Sequence, residues 1–193
     1  MVSEIADFAV IGAGIAGASA AFRLAEYGTV LLLEGESAPG YHTTGRSAAL
    51  FSERYRNPLI RGLAQASGEL LRNPPPGFGD AGLLTDRGLM IVGTASQHEA
   101  VRNQFTDEQM STGIAEELSV AEACELCPVL RPDYLGSARL VPQAKDIDVN
   151  ALHQGFLRGL AHAGGQLVCN ARVHGLTHSG GVWQIETPAG DVQ

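Results

Sequence analysis

The stretch F-A-V-I-G-A-G-I-A-G, Phe8 to Gly17, runs four apolar residues into glycines at Gly12, Gly14 and Gly17. The residues that follow, Ile15 to Tyr27, have helical spacing: Ile15, Ala18, Phe22 and Ala25 share a stripe, while Arg23 and Glu26 turn outward. Gly28 is expected to stop this helix from the left-handed region. A second apolar run, Val30 to Leu33, ends on Glu34. The order is strand, tight turn, helix, strand, acid. Gly12 allows the turn, Gly14 keeps side chains away from a bound pyrophosphate, and Gly17 lets the helix lie close to the strand. The helix N-terminus presents free N–H groups and a partial positive charge to that pyrophosphate. Glu34 comes about 20 residues on, where a carboxylate accepts hydrogen bonds from a ribose. Dinucleotide binding follows; whether FAD or NAD does not follow from this stretch alone.

Composition narrows the partners. The 193 residues carry 21 acids against 13 Lys and Arg, a net charge of −8, which disfavours nucleic acid and anionic membrane surfaces. Hydrophobic content of 45% is enough for a sizeable core. No apolar run reaches the length of a membrane span, and Glu4 and Asp7 argue against a secretory leader, so a cytoplasmic location is expected. Cys124 and Cys127 form a C-x-x-C without a second pair or nearby histidines, so they are taken as half-buried residues at a helix end, not a metal site. Cys169 stands apart from them.

Gly35 to Phe51 reads G-E-S-A-P-G-Y-H-T-T-G-R-S-A-A-L-F, a glycine-rich loop followed by an expected helix start over 47–51. Thr43, Thr44, Arg46 and Ser47 offer hydroxyls and a guanidinium to further phosphate oxygens or to the rim of a flat polar ring. A helix is expected over 57–73, with Leu59, Ile60, Leu63, Leu70 and Leu71 as its buried face, closed by Pro74-Pro75-Pro76-Gly77. Short strands are expected over 82–85 and 88–93 around Asp86-Arg87-Gly88. Helices opened by Ser96 and Ser119 are expected over 96–110 and 119–127, with a strand over 135–141. Asp146 and Asp148 precede a helix over 150–163 and are read as capping residues; His153 and His162 are read as surface or packing residues. A short strand over 166–169 follows, then a hairpin, 173–177 and 182–187, around Ser179-Gly180-Gly181. His174 and His178 fall in a strand pattern and not in a metal pair.

G-A-G-I-A-G, the acid after the second strand, and P-G-Y-H-T-T-G-R-S-A-A resemble the FAD-dependent oxidoreductases of the D-amino-acid oxidase superfamily. The likeness is nearest to the bacterial D-arginine dehydrogenase branch and continues through N-P-P-P-G-F (73–78), C-P-V-L-R (127–131) and D-I-D-V-N-A-L-H-Q-G-F-L-R-G (146–159). It spans nearly the whole chain but only the N-terminal half of such an enzyme. The resemblance implies FAD over NAD, and an α/β fold: a Rossmann-like FAD-binding domain from 1–80 and 142–193, incomplete, with part of an antiparallel-sheet substrate domain at 81–141. It implies cofactor contacts from Gly12, Ala13, Gly14, Ile15, Ala16 and Gly17, from Glu34 and Gly35, from His42, Thr43, Thr44, Gly45, Arg46, Ser47 and Ala48, and from the backbone of Val173.

The implied reaction is oxidation of an amine next to a carboxylate, a D-amino acid giving a 2-oxo acid and ammonia. No catalytic side chain and no metal ligand is assigned. Leu50 stands where the D-arginine branch has a histidine, and Leu89 where it has the glutamate that grips a guanidinium; Tyr55 matches an active-site tyrosine. A cation facing leucine would forfeit about 1.5–3 kcal/mol of charge-assisted hydrogen bonding, so a neutral, apolar substrate side chain is expected. The alternatives are a truncated FAD-binding module without turnover and an NAD-dependent Rossmann protein, which the T-T-G-R-S loop disfavours. Expected partners are the small-molecule substrate and either a missing C-terminal half or a second copy, with no nucleic acid and no membrane span.

Overall fold

The computed structural model describes residues 5–55, 57–79 and 82–193. Glu4 and the domain boundary expected at residue 80 lie outside them. The chain forms two compact units, one from 1–49, 73–83 and 148–193, the other from 50–72 and 84–147.

The first unit is built on a parallel sheet. Strands β1 (Phe8–Ile11), β2 (Val30–Leu33) and β9 (Gln166–Val168) lie in the order β1-β2-β9, with Phe8 beside Val30 and Leu31 beside Gln166. All four residues of β2 are buried, the continuous apolar pattern of a strand covered on both faces. Alternation splits them. Val30 and Leu32 join Ala13, Ala21 and Leu160, whereas Leu31 and Leu33 join Ala171, Ile185 and Val192.

Helix α1 (Ile15–Leu24) and helix α6 (Val149–His162) supply the first of those layers. A Cβ on Gly159 would come within 2.4 Å of the Phe22 ring, and one on Gly155 within 2.3 Å of Phe78. These two glycines therefore let Phe22, Phe78 and Phe156 meet, with ring centroids 5.0–5.8 Å apart. The second layer is the hairpin of β10 (Gly175–Ser179) and β11 (Val182–Glu186), turned by Gly180 and Gly181, both at positive φ.

The helix expected over 15–27 ends at Leu24, and Ala25 caps it in the right-handed region. Gly28 is not a left-handed cap. A Cβ there would fall 2.7 Å from an Asp7 carboxylate oxygen, so close approach is what requires glycine. That carboxylate accepts from the Thr29 hydroxyl and amide, both at 2.7 Å, joining the starts of β1 and β2.

The second unit holds two antiparallel sheets. Strands β3 (Leu50–Phe51), β8 (Lys145–Ile147) and β4 (Leu84–Asp86) form one, and β5 (Leu89–Gly93), β7 (Ser137–Val141) and β6 (Glu116–Leu118) the other. The strands on either side of Asp86-Arg87-Gly88 thus belong to different sheets and do not pair as a hairpin. The helix start expected over 47–51 is overturned. Ala49 has φ +58, which interrupts a right-handed helix, and Leu50 and Phe51 pair with Asp146 and Lys145. This ladder draws 50–72 and 142–147 into the second unit, away from the expected division of the chain.

Helix α2 (Pro58–Arg72) forms where expected, with the Asn57 side chain accepting from the Leu59 amide at 2.9 Å. Its expected buried face forms only at the C-terminal end: Leu71 is buried and Leu70 half-buried, whereas Leu59, Ile60 and Leu63 are 71%, 44% and 59% exposed. The single helix expected over 96–110 is two, α3 (His98–Arg102) and α4 (Asp107–Ser111). Thr94 with Gln97, not Ser96, forms the first capping box, and Thr106 with Gln109 starts the second helix. Helix α5 (Val120–Leu126) has the expected box of Ser119 and Glu122; Cys127 ends it, and both of its cysteines are free and half-buried. Among the described residues no helix is long and apolar enough to cross a membrane.

Candidate cofactor site

The site lies where β1 and β2 end. Gly12 leaves β1 at φ +95, a conformation in which a side chain is strained, and its amide donates to the Leu33 carbonyl at 2.7 Å. A Cβ on Gly17 would stand 1.8 Å from the Gly12 carbonyl oxygen, so the turn and the helix touch through bare backbone. Gly14 caps α1 in extended conformation without a side-chain bond, and the first turn carries no acid. Its positive end therefore stays available to an anion.

Glu34 closes the turn from β2. One carboxylate oxygen accepts from the Ala13 amide at 2.8 Å and the other from the Glu36 amide at 3.0 Å. Each oxygen retains a lone pair, which is what ribose hydroxyls need. The fingerprint's acid is thus already held in place by the loop it serves.

The second loop folds over the same end of the sheet. Gly40, at φ +74, accepts from the Gly45 amide at 2.8 Å, and a Cβ on Gly45 would meet that oxygen at 2.8 Å. The short 3-10 turn Thr44–Arg46 follows, and the Thr44 hydroxyl accepts from the Ile15 amide at 2.9 Å. This bond joins the two loops at the start of α1. The hydroxyl proton of Thr44 remains for a phosphate oxygen. Arg46 lies over the Tyr41 ring at 5.0 Å, and Ser47 accepts from the Ala49 amide at 3.0 Å. Thr43, Gly45, Ser47 and Ala48 are exposed.

The segment after β9 runs along the loop that follows β2. The Ala171 amide donates to the Glu34 backbone carbonyl at 2.8 Å and the Asn170 amide to the Glu36 backbone carbonyl at 2.9 Å, while Val173 packs on the Leu31 and Leu33 layer. This places Val173 two residues beyond the Ala171 bond to the Glu34 carbonyl. Cys169 opens the segment, and burial, then the Glu34 charge, pushes its thiol up from the usual range.

Three groups in this region were not expected as site residues. Glu36 receives both His42, at 3.0 Å, and Arg172, at 2.9 Å, on a single carboxylate oxygen. The His42 hydrogen bond leads the causes that hold the Glu36 carboxyl below its ordinary value. Arg172 also flanks Gly35, within 3.5 Å of where a Cβ would stand. Sequence distance hides this pair, since 136 positions separate Arg172 from Glu36. His153 is the third, buried and bonded through Nε2 to the Ala13 carbonyl at 2.8 Å. Its signal was readable: it shares the buried stripe of α6 with Leu152, Phe156 and Leu160.

The substrate-side residues fall in the second unit. Leu50 and Leu89 come together, both packed against Ala115, Val141 and Ala144. Tyr55 follows β3 and is exposed. Among the described residues no group of three or more His, Cys, Asp or Glu could hold a metal ion.

Solved structures with this fold agree in kind. The chain aligns over 98% of its length with 53% of glycine oxidase from Geobacillus kaustophilus, at TM-score 0.78 and 21% identity. It aligns over 98% with 51% of L-proline dehydrogenase from P. horikoshii, at 0.75 and 19%. The third is L-alpha-glycerophosphate oxidase from Mycoplasma pneumoniae with FAD bound, covered for 50% of its length by 96% of this chain, at 0.75 and 18%. The chain therefore spans about half the length of these proteins. The glycine turn, the anchored carboxylate and the loop-joining threonine fit a dinucleotide, and the family model for FAD dependent oxidoreductase, DAO, matches residues 7–193; the chain belongs to the DAO family of FAD-dependent oxidoreductases, and FAD is its cofactor.

Proposed function

We propose that this chain is the FAD-binding portion of an oxidoreductase that oxidises an amine next to a carboxylate, with a neutral and apolar substrate side chain. The observation that carries the substrate class is the convergence of Leu50 and Leu89 on one apolar cluster, without a charge where the D-arginine branch places two polar partners. The similarity of the fold to glycine oxidase and to NikD, an unusual amino acid oxidase, supports the amine class.

In this reading the residues from Gly12 to Gly17, with Thr44, receive the pyrophosphate, and Glu34 receives the adenosine ribose. Val173 and Arg172 border the adenine end, and Thr43 to Ala48 lead toward the flavin. Tyr55, Leu50 and Leu89 border the substrate. When bound, FAD would supply the acceptor for the hydride leaving the substrate α-carbon. The amine must enter neutral, so that its lone pair forms the C=N bond as the hydride leaves. Water then adds to the imino acid and releases ammonia, leaving a 2-oxo acid. Leucines around the side chain exclude water and offer a cation no counter-charge.

The test is an absorbance spectrum of the purified chain with FAD added, repeated for Gly14→Val, followed by anaerobic addition of D-leucine or D-arginine to a form of the protein that turns over. Flavin retained by wild type and lost in the variant, with bleaching faster for D-leucine, is the expected outcome. Faster bleaching by D-arginine would overturn the substrate class.

A second reading is an FAD-binding module without turnover of its own. Among the described residues strand β1 is an edge of its sheet, and Leu59, Ile60 and Leu63 on α2 are exposed. In the first reading a C-terminal half or a second copy covers such surfaces. The two readings part on whether the flavin, once bound, is reduced by any amino acid.

A further inference from the structure

We propose that His153 is a positioning residue for the dinucleotide loop, acting through the Ala13 carbonyl; this rests on the reading that the loop holds FAD. His153 projects from α6, far from the fingerprint in sequence, and is 4% exposed. A buried imidazole is costly to leave without a partner, and this one meets the Ala13 oxygen through Nε2 at 2.8 Å. The acceptor is a carbonyl, so Nε2 carries the proton.

The consequence lies one peptide further on. Ala13 is completely buried between Gly12 and Gly14, and its amide is held by Glu34 at 2.8 Å. With its carbonyl held by His153, both flanking peptide planes are tied. In a planar trans peptide the N–H points opposite to the C=O. Fixing the Ala13 oxygen toward α6 therefore turns the Gly14 N–H away from α6, at the mouth of helix α1 where an anion is received. Gly12 and Gly14 flank Ala13, so each of its two peptides has a glycine on one side and rotates easily unless something holds it. Glu34, just past β2, holds the peptide before Ala13, and His153, on α6, holds the peptide after it.

The same ring also supports the second loop. A Cβ on Gly40 would stand 3.0 Å from His153 Cε1, and Gly40 is the residue whose carbonyl anchors Gly45, next after Thr44. The imidazole thus lies beneath both loops that Thr44 joins above. Its role is orientation, with no contact to substrate and no part in proton transfer.

The test compares His153→Leu, which fills similar space without a donor, with His153→Gln, whose amide nitrogen reaches about as far as Nε2. Two readouts are taken on the whole chain: amide hydrogen exchange without cofactor at Ala13 and Ile15, whose N–H groups Glu34 and Thr44 hold, and FAD affinity by flavin fluorescence. Leu is expected to speed exchange and weaken FAD roughly tenfold each, the scale of one lost buried hydrogen bond. Gln should restore both to within about threefold of wild type. Unchanged exchange in the Leu variant, or a Gln variant as impaired as Leu, would overturn the proposal. Should Leu fail to fold, His153→Asn, whose amide is too short to reach Ala13, takes its place under the same criteria. Wild type that takes up no FAD would count against the cofactor reading of this chain alone; the exchange comparison would still decide the role of His153.

Discussion

Helices α1 and α2 both carry apolar stripes, yet they have opposite surroundings. On α1 the completely buried residues are small, Ala18 and Ala21, and Ala21 packs with Val30 and Leu32 of β2 and Leu160 of α6. On α2 the stripe starts with Leu59, Ile60 and Leu63, and all three are exposed, although Leu71 at its end is buried. The α2 pattern is the stronger by eye, because its leucines stand out against Arg61, Gln65 and Glu69. Periodicity states that a face prefers burial; it does not state what will bury it. The alanines of α1 are informative because glycines beside them already commit the helix to close packing.

If that contrast is correct, Leu32→Ala should be the most damaging truncation. Leu32 is fully buried between α1 and α6, and its loss should cost about 2–5 kcal/mol in denaturant unfolding. Gly17→Ala comes next at about 1–3 kcal/mol or somewhat more, since the added carbon must displace the Gly12 carbonyl. It should also weaken FAD, measured by the same fluorescence titration.

The α2 side predicts smaller numbers. Asn57→Ala removes the acceptor for the Leu59 and Ile60 amides and should cost about 1 kcal/mol. Leu63→Ala should change stability by no more than about 0.5 kcal/mol. If Leu63→Ala cost as much as Leu32→Ala, the face would be covered in solution and the contrast would fail.

The finest test is electrostatic. The Thr29 hydroxyl, then its amide, holds the Asp7 carboxyl below its usual value, so the ionised form is favoured in the folded state. A depressed folded pKa contributes stability that is complete above the unfolded value of 3.8 and is lost as pH falls through the folded one. The stability difference between wild type and Asp7→Asn should therefore shrink with acidification below about pH 4. A difference that grew in that range would place Asp7 outside the link between β1 and β2.

Much of the cofactor site was legible because it is local. Gly12, Gly14, Gly17 and Glu34 lie within one strand–helix–strand unit, where spacing translates into geometry with little help from the remainder of the chain. Thr44 was legible in type, as a hydroxyl in a glycine loop, and tertiary structure supplied its partner, Ile15. The misread segments share a different cause. Ser47 to Phe51 look helical one residue at a time, but Leu50 and Phe51 gain more from the ladder to Asp146 and Lys145. The stretch 96–110 has helical periodicity throughout, yet Thr106 and Gln109 offer a capping box in its middle and start a new helix.

By itself the sequence determined the strand–turn–helix–strand unit, the acid at its end, the family and the cofactor. The unit and its acid rest on backbone rules at short range: a positive φ at Gly12, a contact without Cβ at Gly17, an apolar run buried on both faces; the family and the cofactor rest on the resemblance of the glycine and threonine loops. Tertiary structure alone decided that Arg172 meets Glu36, that Leu50 and Leu89 share one cluster, and that a histidine from α6 grips Ala13. Each of those needs two distant segments to be brought together, and the chain's pattern records that a side chain will be buried without recording which neighbour it will find.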